Sequence, residues 1–145
     1  MKLYYFDSSV LLSILLGEER QEEAYGYWQN TIRVSSILLR IETILVLRRV
    51  YEANKNNFEN DWLIKKTKIM DEYLNEVNFM ILDYTIERGI YLRKELARCR
   101  SLDAIHMATA LYFKELNHNE DTYLYTFDKA MHSLARHYGF RTNII

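Results

Sequence analysis

The sequence predicts an α/β fold: a three-layer sandwich in which a parallel sheet of about five strands lies between helices. Three observations predict it. Short β-favouring segments alternate with longer stretches of helical periodicity, and strands separated by helices require right-handed crossovers and a mainly parallel sheet. Proline is absent and glycine occurs 4 times, against ordinary usage of about 12% for the two together, which favours long helices over tight turns. Aliphatic and aromatic residues make up 49% of the 145, enough to cover both faces of a sheet and too many for a disordered chain. The expected organisation is one domain over residues 1–145.

Lys2–Phe6 is rich in β-favouring aromatics and ends at Asp7. Ser8–Leu16 reads as a short buried helix with Gly17 at its C-cap, followed by a charged helix over Glu18–Gln29. Thr31–Val34 is the second strand, and Ser35 or Ser36 caps a helix running to Ala53. After the polar break Asn54–Asn57, the spacing of Phe58, Trp62, Ile69 and Tyr73 predicts an amphipathic helix to Glu76. Val77–Leu82 is the third strand and Thr85–Ala97 a helix; Ser101 caps the next helix, which reaches Leu116. Thr122–Phe127 alternates as a strand, hands over at Asp128 to a helix ending near His137, and Gly139 introduces a last strand over Phe140–Ile144.

Export and membrane insertion are not expected. Lys2 and the apolar stretch Val10–Leu16 loosely mimic a leader, but Asp7 interrupts the approach and Glu18 and Glu19 stand where a cleavage site belongs. No run approaches the roughly 18 apolar residues of a spanning helix. One cysteine, Cys99, excludes a disulfide framework and a Cys-based zinc site and suggests the cytoplasm.

Four acids occupy positions that need a reason. Asp7 and Asp128 each follow a strand and open a helix, where an Asp serves as N-cap. The carboxyl ends of strands in an open parallel sheet are also where ligands bind. Glu42 has Leu38, Leu39, Leu45 and Val46 as its i±3 and i±4 neighbours, so it projects from an apolar face, where a carboxylate needs a base or a metal. Arg40 points about 200° away around the helix and is not that base. Asp103 complements the dipole of its own helix, yet Ala104, Ala108 and Ala110 mark that helix as closely packed. If the four converge, their mutual repulsion calls for a hard divalent cation such as Mg²⁺. Phosphodiester hydrolysis fits that chemistry.

At this point the sequence resembles the PIN domain family, and specifically its VapC-type toxins. The resemblance rests on Tyr5-Phe-Asp-Ser-Ser-Val-Leu-Leu12, the Ser35–Glu42 helix opening, Leu102-Asp-Ala-Ile-His-Met-Ala-Thr-Ala-Leu111 and Leu124-Tyr-Thr-Phe-Asp128. It implies an endoribonuclease dependent on Mg²⁺ or Mn²⁺, a dimer held inactive by a small VapB-type antitoxin. It also implies metal-binding and catalytic acids at Asp7, Glu42, Asp103 and Asp128. Thr126, and less directly Ser8, match a hydroxyl that orients the first aspartate. Asp7 and Asp103 would bind the principal metal directly, Glu42 would act through water, and Asp128 would complete the shell.

Arg93, Lys94, Arg98 and Arg100 form a strip of base leading to Asp103 that suits RNA phosphates, or else a solvated helix face. His106 falls on the same helix face as Asp103, in core packing or behind the site. A non-catalytic reading also stands, a PIN-like or receiver-like binding module, although Ser8 and Ser9 occupy the place where a receiver carries an adjacent acid. The charge balance of 20 acids against 19 bases disfavours nucleic acid at first sight. Setting the four candidate acids aside leaves 16 against 19, so near-neutrality does not exclude RNA.

Overall fold

The computed structural model describes residues 2–118 and 120–144. Its strands are β1 (Leu3–Phe6), β2 (Ile32–Ser36), β3 (Val77–Met80), β4 (Thr122–Tyr125) and β5 (Arg141–Thr142). The helices are α1 (Ser8–Leu16), α2 (Gln21–Trp28), α3 (Leu38–Ala53), α4 (Trp62–Leu74), α5 (Tyr84–Tyr91), α6 (Ser101–Leu116) and α7 (Lys129–His137). The five strands form one sheet in the order β3-β2-β1-β4-β5, with every pair parallel.

Alternation along β1 divides the apolar interior in two. Leu3 and Tyr5 face one side, where Leu124, Ile86, Met107, Leu111 and Ala135 complete a core beneath α5, α6 and α7. Phe6 faces the other, against Val10, Leu11, Trp28, Leu39 and Met70 from α1 to α4. The sheet is therefore covered on both faces, as the crossovers require. The small residues of α6 serve their expected purpose: Ala104, Ala108 and Ala110 are all buried, so the helix lies close over the strands.

The order of the strands marks one candidate position for a ligand. The chain leaves β1 for β2 and β3 on one side, then returns to lay β4 and β5 on the other. The neighbours β1 and β4 thus send their connections in opposite directions, and the crevice at their carboxyl ends is the topological switch point, where open α/β sheets bind ligands.

Several boundaries differ from those read in the sequence. The helix expected from Phe58 begins at Trp62, and Phe58 instead stacks on the Trp62 ring at 4.4 Å. The helix expected over Thr85–Ala97 breaks after Tyr91, and Lys94–Arg98 forms a 3₁₀ turn that carries Leu96 into the core. Arg93 folds back at the break to donate to the Gly89 carbonyl. Arg100, not Ser101, is the N-cap of α6, and no side chain caps it; Asp103 in the first turn complements the dipole. β2 continues through Ser36, whose Oγ accepts from the Leu38 amide at the start of α3. β5 keeps two residues because Asn143 turns inward toward β4.

Candidate functional site

Asp7 is 6% exposed and is the N-cap of α1, its Oδ1 accepting from the Ser9 amide. The same oxygen accepts from Ser9 Oγ at 2.5 Å, and Oδ2 accepts from Thr126 Oγ1. Burial pushes the Asp7 carboxyl up from the ordinary carboxylate range, and the bonds from Ser9 and Thr126 pull in the opposite direction. Three donors on one buried carboxylate fix its orientation.

Thr126 and Ser9 tie β1 to β4 across the crevice. Thr126 Oγ1 accepts from the Asp128 amide at 3.0 Å, and Ser9 Oγ accepts from the Phe127 amide at 2.9 Å. Asn143 holds the same backbone from behind: its Oδ1 accepts from the Thr126 amide and its Nδ2 donates to the Thr126 carbonyl, both at 2.9 Å. The hydroxyl beside Asp7 in α1 therefore belongs to Ser9, in place of the expected Ser8. An N-cap carboxylate reaches the amide of the second helical residue, and that residue's own hydroxyl comes with it.

Asp128 is the N-cap of α7, accepting from the Met131 amide at 2.8 Å. Asp103 stands in the first turn of α6. Burial pushes its carboxyl up, the negative charges of Asp128 and Glu42 push the same way, and His106 and Arg100 oppose them. Asp103 thus lies within the fields of Asp128 and Glu42.

Glu42 finds the base its position calls for. His106 is 2% exposed, and its Nε2 pairs with Glu42 Oε1. Its Nδ1 lies 2.6 Å from the Tyr5 hydroxyl, which accepts from the Ser36 amide at 3.2 Å. The tautomer that satisfies every donor in this chain carries its proton on Nε2. Ser36 N–H then donates to Tyr5, Tyr5 O–H to Nδ1, and Nε2–H to Glu42. Burial drives the Tyr5 phenol far up, so it stays a donor. Arg40 is occupied by Asp71 at 2.8 Å. The apolar face around Glu42 is only half closed, since Leu39 is buried while Leu45 is 45% exposed.

The basic strip divides. Arg93 is held by Glu115 at 2.7 Å. Lys94 is exposed. Arg98 and Arg100 flank a cavity that includes Asp103. Among the described residues, no three His, Cys, Asp or Glu side chains form a ready-made cage for a metal ion.

A family model described as PIN domain matches residues 4–137. The chain belongs to the PIN domain family. Among solved structures, this PIN domain superposes with a TM-score of 0.60 on a chain of a toxin–antitoxin complex from Klebsiella pneumoniae, at 19% identity over 86% of each chain. It superposes with a TM-score of 0.63 on a chain of VapBC2 from Rickettsia felis bound to a DNA fragment from their promoter, at 9% identity over 97% of each chain. At those identities the likeness is one of fold. No match is found among curated protein sequences.

Proposed function

We propose that this PIN domain is a divalent-metal-dependent endoribonuclease, the VapC-type toxin of a pair whose antitoxin is a small VapB-type protein. What supports the reading is that Asp7 and Asp128 cap the helices that follow the neighbouring strands β1 and β4, while Tyr5 feels the charges of both Asp7 and Glu42. Asp103 feels the charges of both Asp128 and Glu42. The resemblance of both solved structures to this chain agrees with it.

The donor set fits Mg²⁺ or Mn²⁺. All four groups are hard oxygen ligands. Mg²⁺ takes one or two carboxylates and keeps several waters, so the lack of a tight three-residue cage is compatible with it. Asp7 and Asp103 are the residues that would hold the ion, with Asp128 completing the shell. When bound, the ion stabilises charge on the phosphoryl oxygens and lowers the pKa of water. The protein's own residues do the positioning. Ser9 and Thr126 aim the Asp7 carboxylate, and His106 pins Glu42 through Oε1. Glu42 Oε2, the oxygen that His106 does not engage, accepts the proton of the attacking water, and the leaving oxygen takes its proton from solvent. One P–O bond forms and one breaks.

The chain contributes one domain to a homodimer that acts in the cytoplasm. Exposed Ile41, Ile44 and Leu45 on α3 supply an apolar surface for a second copy, and exposed Ile81 and Leu82 follow Met80, whose carbonyl accepts from the Ile37 amide before α3. Among the described residues no helix is long and apolar enough to cross a membrane, and the free thiol of Cys99 suits a reducing compartment.

The test is cleavage of total RNA by wild type and Asp7→Asn, with Mg²⁺ or Mn²⁺ and with EDTA. Wild type should cut only with metal, and the variant should lose activity by at least about a hundredfold. Equal cleavage by both, or full cleavage in EDTA, overturns the reading. Growth arrest by wild type, relieved by a small protein encoded alongside, would identify the antitoxin.

A further inference from the structure

A cavity of about 490 Å³ includes Asp103 on its wall and is lined otherwise by residues outside the four acids. It opens between the 3₁₀ turn Lys94–Arg98, the first turn of α6, and α7. Its floor is apolar, with Met131 buried and Leu134 half-buried. Its rim carries Glu95, Ser133 and His137. Arg98 and Arg100 also line it, and neither has an ion-pair partner among the described residues.

We propose that this cavity seats one nucleobase next to the scissile phosphate and selects guanine there, with Glu95 as the reading group. The proposal rests on the nuclease reading above and names the substrate feature that the site recognises. Three features support it. The volume exceeds that of a single base, so base and ribose fit together. An apolar floor suits the face of a base, and Arg98 and Arg100 on the rim suit the flanking phosphates, by charge and by stacking.

The third feature is the donor and acceptor balance. The lining carboxylates are Glu95 and Asp103, and Asp103 belongs to the acidic cluster, which leaves Glu95. Its own backbone amide and the Tyr138 hydroxyl, 3.4 Å from Oε2, hold Glu95 below the ordinary carboxylate range. Ionised, it only accepts. Guanine presents two adjacent donors, N1–H and the N2 amine, to one such carboxylate. Adenine and cytosine each pair an amine with a ring acceptor, and uracil sets its single N–H between two carbonyls, which repel the carboxylate.

The test uses wild-type protein in EDTA, so that binding is read without turnover. Fluorescein-labelled UUUGUU, UUUAUU, UUUCUU and UUUUUU ribohexamers are titrated by anisotropy. The guanine hexamer should bind about tenfold more tightly than the all-uridine one, the discrimination of one bidentate pair. Ser133→Trp, which fills the cavity from the exposed face of α7, should weaken the guanine hexamer about tenfold, and Ala130→Trp should do the same. Glu95→Gln should cut the preference over uridine to below about twofold. Thermal melts confirm that the variants are folded. Equal affinity of wild type for all four hexamers overturns the proposal, as does a guanine preference that survives both cavity-filling variants. Guanine selectivity without metal-dependent cleavage would keep the base seat and remove the nuclease. Cleavage without base preference would do the reverse.

Discussion

Thr126→Val tests whether the Asp7 carboxylate is held as the structure describes. The substitution keeps the shape of the side chain and removes one hydroxyl. That hydroxyl donates to Asp7 Oδ2 and accepts from the Asp128 amide at 3.0 Å, in a residue that is fully buried. A hydrogen bond to a charged group contributes about 1.5–3 kcal/mol and a neutral one about 0.5–1.5. Where Asp7 is ionised, above its folded pKa, the expected loss is therefore about 2–4 kcal/mol, measured by urea denaturation in EDTA across a pH series with the m-value unchanged. Asp7→Asn retains an acceptor but not the charge, so its cycle with Thr126→Val isolates the charge-assisted part. A coupling of about 1 kcal/mol is expected above the folded pKa of Asp7. The sign of the pH dependence follows from burial. The folded pKa of Asp7 is raised, so its contribution to stability is fully present below the ordinary carboxylate pKa and is lost as pH rises through the folded value. Thr126 limits that loss by favouring the ionised form. The penalty of Thr126→Val should consequently shrink as Asp7 protonates at acid pH. A coupling below about 0.3 kcal/mol at every pH of the series, within the additivity of unconnected sites, would refute the assignment of Thr126 as the group that positions Asp7.

Three further predictions concern the same cluster. Asp103→Asn should raise the melting temperature of the metal-free protein at pH 7. The folded pKa of Asp103 is raised by burial, Asp128 and Glu42, so its favourable contribution is lost as pH rises through that value; calorimetry should show the difference vanish near pH 3, below the ordinary carboxylate pKa. Millimolar Mg²⁺ should raise the melting temperature of wild type, by roughly 2.7 kcal/mol of stabilisation at a hundredfold excess over its dissociation constant. Asp7→Asn should abolish most of that gain, and an unchanged wild-type melting temperature would deny a metal site at the cluster. His106→Phe should cost about 2–4 kcal/mol in urea denaturation, because the buried Tyr5 hydroxyl and Glu42 both lose their partner. Adding Tyr5→Phe in that background should cost much less than Tyr5→Phe alone.

The architecture was legible because its signals are local. β1 ends where its aromatics meet an N-capping Asp, and β4 does the same, so periodicity and capping together placed Asp7 and Asp128 on one sheet edge. What the sequence left open depends on which distant elements meet. Glu42 read as needing a base, but the base lies 64 residues away on α6 and is itself aimed by Tyr5, 101 residues before His106 along the chain. No spacing rule relates positions that only the β3-β2-β1-β4-β5 order brings together. Asn143 was hidden for the same reason: it reads as a strand residue, and its side chain serves Thr126 instead. Ser9 is a different case, because its signal was local and legible. Once Asp7 is taken as N-cap, the amide it accepts from is that of the second helical residue, and Ser9 rather than Ser8 occupies that place. The capping geometry of α1 thus does two things at once. It starts the helix, and it fixes the carboxylate on which the proposed chemistry depends; removing Ser9 Oγ should therefore disturb Asp7 and the Phe127 backbone together.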